Sequence, residues 1–404
     1  MMYLWENYMN EKHVTILMRG LKMNSTLICL SLDSNLLGDD GVSVLASTLK
    51  CHTSIRTIYL NGNQISEVGA VELAIMLYVN RTLTHIELSS NSIGDSGVAA
   101  ISNALKKNKY LRTIYLNDNK ISDIGAEHIA DMLQVNETLT DLHLSSNRLG
   151  DVGVSVIARA LQQNNTLESL NIGETMITLN SMNVIGRMLE MNNMLKTLDL
   201  HNNNVGDEGL MMIVSALHEN RALTTLDLSM NNLSEIGASE IASLLKETST
   251  RLTTLNMSEN HLGDSGVRSI AGGLMKNRSV MKLMIESVDM SIEGVRELAK
   301  MLCSNKTLCY LSLSNNDLDN SDMNILADAL QYNKSLQHLY LNNCNLTDEC
   351  VSFIVDIMKQ CKALTSIELV KNQLTQEGKM AINEAAMANK TCSVYLDFTF
   401  QRIH

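Results

Sequence analysis

Apolar residues return along the chain in the pattern L-x-x-L-x-L-x-x-N, as in Leu139, Leu142, Leu144 and Asn147, with a period of about 28 residues. The asparagines mark the step: Asn35, Asn63, Asn91, Asn119, Asn147, Asn203, Asn231, Asn260, Asn316 and Asn372, with the step into Asn260 longer by one position. The L-x-L core reads as a short parallel strand. The stretch after it reads as a helix, because Val154, Ile157, Ala158 and Leu161 fall three and four apart on one face. A fixed period of this length marks an α/β solenoid whose units pack on their neighbours. A helix is about 10 Å wide and adjacent strands lie about 4.8 Å apart, so stacking bends such an array into a right-handed horseshoe with parallel strands inside and helices outside.

The phase predicts strands at 30–32, 58–60, 86–88, 114–116 and onward to 394–396. It gives thirteen repeats of this period over 27–391, a degenerate N-terminal repeat over 1–26 and a C-terminal capping strand within 392–404, together a single domain over 1–404. Met2, Leu4 and Asn7 sit one period before Leu30, Leu32 and Asn35, so the chain is expected to open on a strand in mid-repeat. A last strand is expected over 393–398 (SVYLDF).

Each asparagine of the main column ends a strand where backbone groups lose their ladder partners, and an amide can both donate and accept there. Cys344 is a replacement that the repeat pattern allows. Thr175 and Val288 are departures, and their repeats are expected to be the weakest rungs. On the same reading Asn119 is structural, whereas its neighbour Asp118 belongs to an exposed turn tolerant of alanine. A second column, running Asn80, Asn108, Asn136, Asn164, Asn192, Asn220, Asn277, Asn305 and Asn333, follows each helix and is expected to close it in the left-handed conformation. Neighbouring repeats alternate between IYLNGNQISEVGA-like and HLSSNRLGDVGVS-like types, an alternation that blurs after residue 167.

A chain of 404 residues exceeds one ordinary globular core, yet no Pro/Gly/Ser-rich linker divides it. The net charge of −12 argues against nucleic acid and anionic lipid as partners. No run of about 18 apolar residues is present, and the start, MMYLWENYMNEK, has neither a basic nor an apolar leader region. Eight scattered cysteines without a C-x-x-C pair fit a reducing compartment, and a cytoplasmic location is expected. The sequence has no proline.

Repeats of this period in two alternating types, built on L-x-x-L-x-L-x-x-N-x-[IL]-G-D-x-G with a full helix, resemble the ribonuclease-inhibitor-like class of leucine-rich repeats. LHLSSNRLGDVGVSVIARALQQNNTL is also similar to the repeat regions of NOD-like receptors and of Ran GTPase-activating protein. The resemblance implies the fold and a protein-binding role, often on the concave face. The chain has no G-x-x-x-x-G-K-[ST] nucleotide-binding motif and ends FTFQRIH in place of an acidic tail. No functional residue of the Ran activator maps to a position here.

Candidate chemistry is thin. Gly94-Asp95-Ser96-Gly97 and Gly263-Asp264-Ser265-Gly266 mimic the segment around a serine nucleophile, but the same slot reads GDDG, GDVG and GDEG in other repeats, so it is a structural turn whose Asp and glycines shape and cap the helix start. Eight of the N-x-[ST] sequons, at Asn24, Asn80, Asn136, Asn164, Asn277, Asn305, Asn333 and Asn389, share one repeat phase and are repeat consensus. His85, His143, His201 and His338 fall in separate repeats without metal-ligand spacing. No catalytic residue, cofactor or metal ligand is expected.

The variable residue of L-x-L faces the concave side and runs Ser31, Tyr59, Glu87, Tyr115, His143, Asn171, Asp199, Asp227, Asn256, Met284, Ser312, Tyr340 and Glu368. Tyr59, Glu87, Tyr115 and His143 form the compact aromatic and charged patch of this column, about 15 Å long at parallel-strand spacing, with Asp199 and Asp227 beyond it. These six are the candidate partner-binding residues. The reading is a non-enzymatic scaffold that binds a protein partner on the concave face. The alternatives are a GTPase-activating regulator resembling the Ran activator, and the sensor repeats of a truncated NOD-like receptor.

Overall fold

The structure is a computed structural model that describes residues 1–247, 249–389 and 392–397. It divides into two compact units, Met1–Asn204 and Val205–His404. In the first, strands β1 (Met2–Tyr3), β2 (Cys29–Ser31), β3 (Thr57–Tyr59), β4 (His85–Glu87), β5 (Thr113–Tyr115), β6 (Asp141–His143), β7 (Ser169–Asn171) and β8 (Thr197–Asp199) pair in parallel in chain order. Between them run α1 (Glu11–Leu21), α2 (Gly38–Leu49), α3 (Glu67–Val79), α4 (Gly94–Leu105), α5 (Asp123–Leu133), α6 (Gly150–Leu161) and α7 (Leu179–Met191).

The second unit repeats the arrangement. Its helices are α8 (Gly206–Leu217), α9 (Glu235–Lys246), α10 (Gly263–Leu274), α11 (Ile292–Ser304), α12 (Asn320–Leu330), α13 (Val351–Gln360) and α14 (Gln376–Asn389). Its parallel strands are β9 (Thr225–Asp227), β10 (Thr254–Asn256), β11 (Lys282–Met284), β12 (Tyr310–Ser312), β13 (His338–Tyr340), β14 (Ser366–Glu368) and β15 (Ser393–Tyr395). Phe398, at the end of the strand expected over 393–398, lies outside the described residues, as does the chain beyond it.

The register follows the sequence period. Met2 pairs with Leu30, Leu30 with Ile58 and Ile58 with Ile86, and the one longer step appears where Leu226 pairs with Leu255. From β2 onward each strand starts one residue before the expected apolar position. The Leu60 N–H still donates to the Glu87 carbonyl at 2.9 Å, so the ladder continues through the second leucine. The central strand residue is buried in every repeat from Leu30 to Ile367, while most flanking residues are half-exposed. Val154, Ile157, Ala158 and Leu161 close the core from the helix side, all buried.

The main asparagine column is a hydrogen-bond ladder between repeats. Asn91 Oδ1 accepts from the backbone N–H groups of Asn63 (2.9 Å) and Ile65 (3.0 Å), while Nδ2 donates to the carbonyls of Leu60 (3.1 Å), Leu88 (2.9 Å) and Ser89 (3.1 Å). One amide thus satisfies groups in two repeats. Thr175 keeps a single such bond, from its hydroxyl to the Ile172 carbonyl at 2.6 Å, and buried Val288 brings no polar side-chain atom. Cys344 Sγ reaches the Leu313 and Asn342 carbonyls at 3.5 and 3.4 Å, and burial pushes its thiol up to about 12.

Three expectations need correction. The second asparagine column does not close helices in the left-handed conformation: Asn80, Asn192 and Asn305 have φ of −64°, −86° and −71°. These residues form a second ladder. Asn80 Nδ2 donates to the Leu49 carbonyl at 2.7 Å, and its Oδ1 accepts from the Thr82 and Leu83 N–H groups that lead into the next strand. The aspartate of G-D-x-G caps the helix of the following repeat and not its own. Asp95 accepts from the Ser122 N–H (2.8 Å), the Ser122 hydroxyl (2.7 Å) and the Gly125 N–H (3.0 Å) at the start of α5, whereas α4 has no side-chain cap. The doublet also persists beyond residue 167. Positive φ falls on Gly38, Gly94, Gly150, Gly206 and Gly263 in one repeat type, and on Gln64, Lys120, Met176, Asn232 and Asp289 in the other.

Candidate functional site

On β3 to β6, Tyr59, Glu87, Tyr115 and His143 come together as the L-x-L column predicts, and a residue from the neighbouring column joins them. His85 lies between the two tyrosines, its ring centroid 5.6 Å from that of Tyr59 and 5.6 Å from that of Tyr115. Tyr115 in turn stacks on His143 with centroids 3.8 Å apart and planes 4° from parallel. Four rings from four strands therefore form one continuous series on the exposed side of the sheet. The residues before and after each buried strand centre point the same way, because side chains alternate across a strand, so two columns feed the surface.

Glu87 is the polar centre of this series. Its Oε1 lies 3.1 Å from His85 Nε2, and Asn61 Nδ2 donates to Oε2 at 2.7 Å. Burial pushes the carboxyl up, but the hydrogen bonds from His85 and Asn61, with the charges of His85 and His143, outweigh it and hold the group below its ordinary value. The Asn61 Oδ1 accepts the Ser89 N–H at 2.7 Å, which ties the network to the backbone. Burial raises the Tyr115 phenol, helped by the charges of Glu87 and Asp141. His143 is held below its ordinary value by burial, against the pull of Asp141, Asp199 and Glu87. All four rings are half-buried.

Asp199 lies further along the same unit, where its Oδ1 is 2.7 Å from His201 Nδ1. Asp227 belongs to the second unit. There it accepts from the Ser229 N–H and hydroxyl and from Asn256 Nδ2 at 2.9, 2.6 and 2.8 Å. Both aspartates are engaged by their neighbours.

The patch at Tyr59 to His143 is not alone. In the second unit Tyr310 lies 4.6 Å from Tyr340 and 6.3 Å from His338, centroid to centroid, and Lys282 Nζ sits 5.9 Å from the Tyr310 ring centre. Glu286 accepts from the Ser312 hydroxyl at 2.5 Å, and Glu368 from Asn342 Nδ2 at 2.9 Å. Reading only the L-x-L column hides this cluster, since Tyr310, His338 and Lys282 lie on the flanking column. The outer face of α3 also exposes Val68, Val71, Ile75 and Tyr78 at helical spacing.

Neither serine of the GDSG segments is placed as a nucleophile: each lies in the first turn of its helix, and the neighbouring aspartate is occupied by the next helix start. Asn80, Asn136, Asn164, Asn277, Asn305 and Asn333 are buried. Among the described residues no group of three His, Cys, Asp or Glu side chains is placed to hold a metal ion, and no helix is long and apolar enough to cross a membrane. All eight cysteines are unpaired.

The chain matches the family described as Leucine Rich repeat over residues 24–46, 79–102, 107–130, 135–158, 192–214, 219–242, 248–271 and 332–355. No curated protein sequence matches it. Among solved structures it is similar to a chain in the crystal structure of the Rad7 and Elc1 complex in yeast, at 16% identity and a TM-score of 0.59, covering 95% of this chain and 87% of that one. It is also similar to an internalin (inlF) from Listeria monocytogenes, at 20% identity, a TM-score of 0.48, and coverage of 88% and 89%. A third likeness is to leiomodin-1 actin-binding site 2, at 26% identity, a TM-score of 0.32, and coverage of 38% and 88%. The likeness to the Rad7 and Elc1 structure is one of fold alone.

Proposed function

We propose that this chain of leucine-rich repeats is a non-enzymatic scaffold that holds a protein partner against the exposed face of β3 to β6, with Tyr59, His85, Glu87, Tyr115 and His143 as the contact. The observation that carries this reading is the four-ring series, held on the surface by the Glu87 network and not folded into the core. Aromatic groups pre-ordered at the centre of a face, with a polar surround, are what protein interfaces use as anchors. Fixing the rings in advance also lowers the ordering cost of association. Asp199, further along the same unit on β8, is a secondary contact, and Asp227 is a candidate contact of the second unit.

The test is affinity capture from a lysate with the intact chain and with the Tyr59→Ala/Tyr115→Ala double variant, followed by mass spectrometry. A partner retained by the first and lost by the second supports the reading. A partner retained equally by both, and lost on changing Tyr310 and Tyr340, moves the site to the second unit. Addition of the purified chain to small GTPases separates this reading from a GTPase-activating regulator, which would accelerate GTP hydrolysis.

A further inference from the structure

We propose that the segment seated on this face is basic and extended, with a cationic side chain at every third residue; this rests on the reading that β3 to β6 form the binding surface. At the outward strand positions of the first unit, and at the residue two beyond each strand, the acidic groups fall on alternate strands. Asp33 follows β2, Glu87 is on β4, Asp141 on β6 and Asp199 on β8, while the tyrosines lie between them on β3 and β5. At the flanking positions of β2 to β8, and at the residue two beyond each strand, there is no lysine or arginine. At these positions the face therefore presents carboxylates and π-faces to a partner, while the arginines nearest the two tyrosine strands, Arg56 and Arg112, lie just before β3 and β5.

The rings and the acids are close enough to act together. Glu87 and Asp33 both act on Tyr59, and Glu87 and Asp141 both act on Tyr115. A cation within about 6 Å of a tyrosine ring is attracted by the ring's quadrupole. The second unit holds such a pair within the chain itself, with Lys282 Nζ 5.9 Å from the Tyr310 ring and Glu286 in the same repeat. In the first unit the ligand brings the cation.

The spacing selects the conformation. Alternate strands stand about 10 Å apart, twice the interstrand distance. A polyproline-type segment rises about 3.1 Å per residue with three residues per turn, so every third side chain returns to one side about 9 Å further on. Arginine or lysine at every third position meets the acids one by one, with the turns between them lying over Tyr59 and Tyr115.

The probes are three fluorescent peptides read by anisotropy against the whole chain: (Arg-Ser-Pro)4, a peptide of the same composition with its four arginines contiguous, and (Glu-Ser-Pro)4. The spaced arginine peptide should bind at least about fivefold tighter than the clustered one and weaken as salt is raised. Glu87→Gln with Asp141→Asn should lower its affinity at least about tenfold, and Asp141→Asn alone part of the way. Removing the same charge from the outer helices, as Glu67→Gln with Glu127→Gln, should change it less than twofold. Equal binding of the clustered or acidic peptide, or no binding of the spaced one, overturns the inference. If that other peptide is still released by Tyr59→Ala/Tyr115→Ala, the surface stands and only its chemistry is wrong. Spaced-peptide binding that survives the tyrosine double variant removes the surface itself.

Discussion

The ring of Tyr115 lies flat on that of His143, 3.8 Å between centroids, and this contact is part of what buries the imidazole. Burial is the main cause of the depressed His143 value, against three carboxylates that favour its charged form. Tyr115→Ala should therefore raise the His143 pKa, read from its ring proton shifts in an NMR titration. In the intact protein the unfolded chain takes up this proton first, so the His143 contribution to stability falls as pH drops below about 6.5. An unchanged midpoint in the variant would mean that the stack does not shield the histidine.

Asn119 and Asp118 are neighbours with opposite roles. Asn119 is fully buried; its Nδ2 donates to the Leu88 and Asn117 carbonyls at 2.8 and 3.0 Å. Asn119→Ala should cost about 1–3 kcal/mol in denaturant unfolding, because buried backbone groups lose their partner. Asp118 is exposed as the turn reading expects, but its φ is +50°, so Asp118→Ala is not neutral. It should cost about 1 kcal/mol, since left-handed backbone crowds a Cβ, while Asp118→Gly should be neutral or stabilising. Equal effects of alanine and glycine at 118 would contradict this.

The fold, and four of the five residues of the candidate site, were legible in the sequence, for a physical reason. Leucines that must meet the core and amides that must meet orphaned carbonyls recur at fixed spacing, because each repeat offers the next the same surface. Backbone φ is not written so plainly: Met176 and Asp289 take the same left-handed position as Gln64 and Lys120, which hides the doublet beyond residue 167. The partner of Asp95 lies 27 residues away at Ser122, in a motif that reads as a local cap. His85 escaped the candidate set because the two outward positions of a strand differ by two residues, and only one of them falls inside L-x-L.

Gly125 illustrates a constraint imposed by that long-range cap. A Cβ there would lie 2.6 Å from Asp95 Oδ1 and 2.5 Å from Ile121 Cγ2. Gly125→Ala should destabilise the chain by about 1–3 kcal/mol, the usual range for overpacking. Asp95→Ala should soften that penalty if the clash is with the carboxylate, which a double-mutant cycle would reveal.

Two aspartates of the second unit should titrate with opposite sign. Burial opposes ionisation of Asp264, but bonds from the Ser291 hydroxyl and the Ser291 and Gly294 N–H groups prevail and lower its pKa. Its contribution is present above about pH 3.9 and is lost as pH falls through the folded value. Asp322 stands where the other repeats of its type carry the second glycine of G-D-x-G, is buried with Oδ1 unpartnered, and has its pKa raised by that burial. Its contribution is fullest below the unfolded pKa and is lost as pH rises through the folded one. Asp322→Asn should therefore stabilise the protein at neutral pH and have little effect at about pH 3; a variant less stable at neutral pH would contradict this.

The central claim is that a protein partner sits on the ring series of β3 to β6, and hydroxyl-radical footprinting of the complex tests it most directly. With the captured partner bound, oxidation of Tyr59 and Tyr115 should fall several-fold while that of Tyr78 on α3 and of Tyr310 and Tyr340 in the second unit stays unchanged. Protection of Tyr78, or of Tyr310 and Tyr340, with Tyr59 and Tyr115 as reactive as in the free chain, would contradict it.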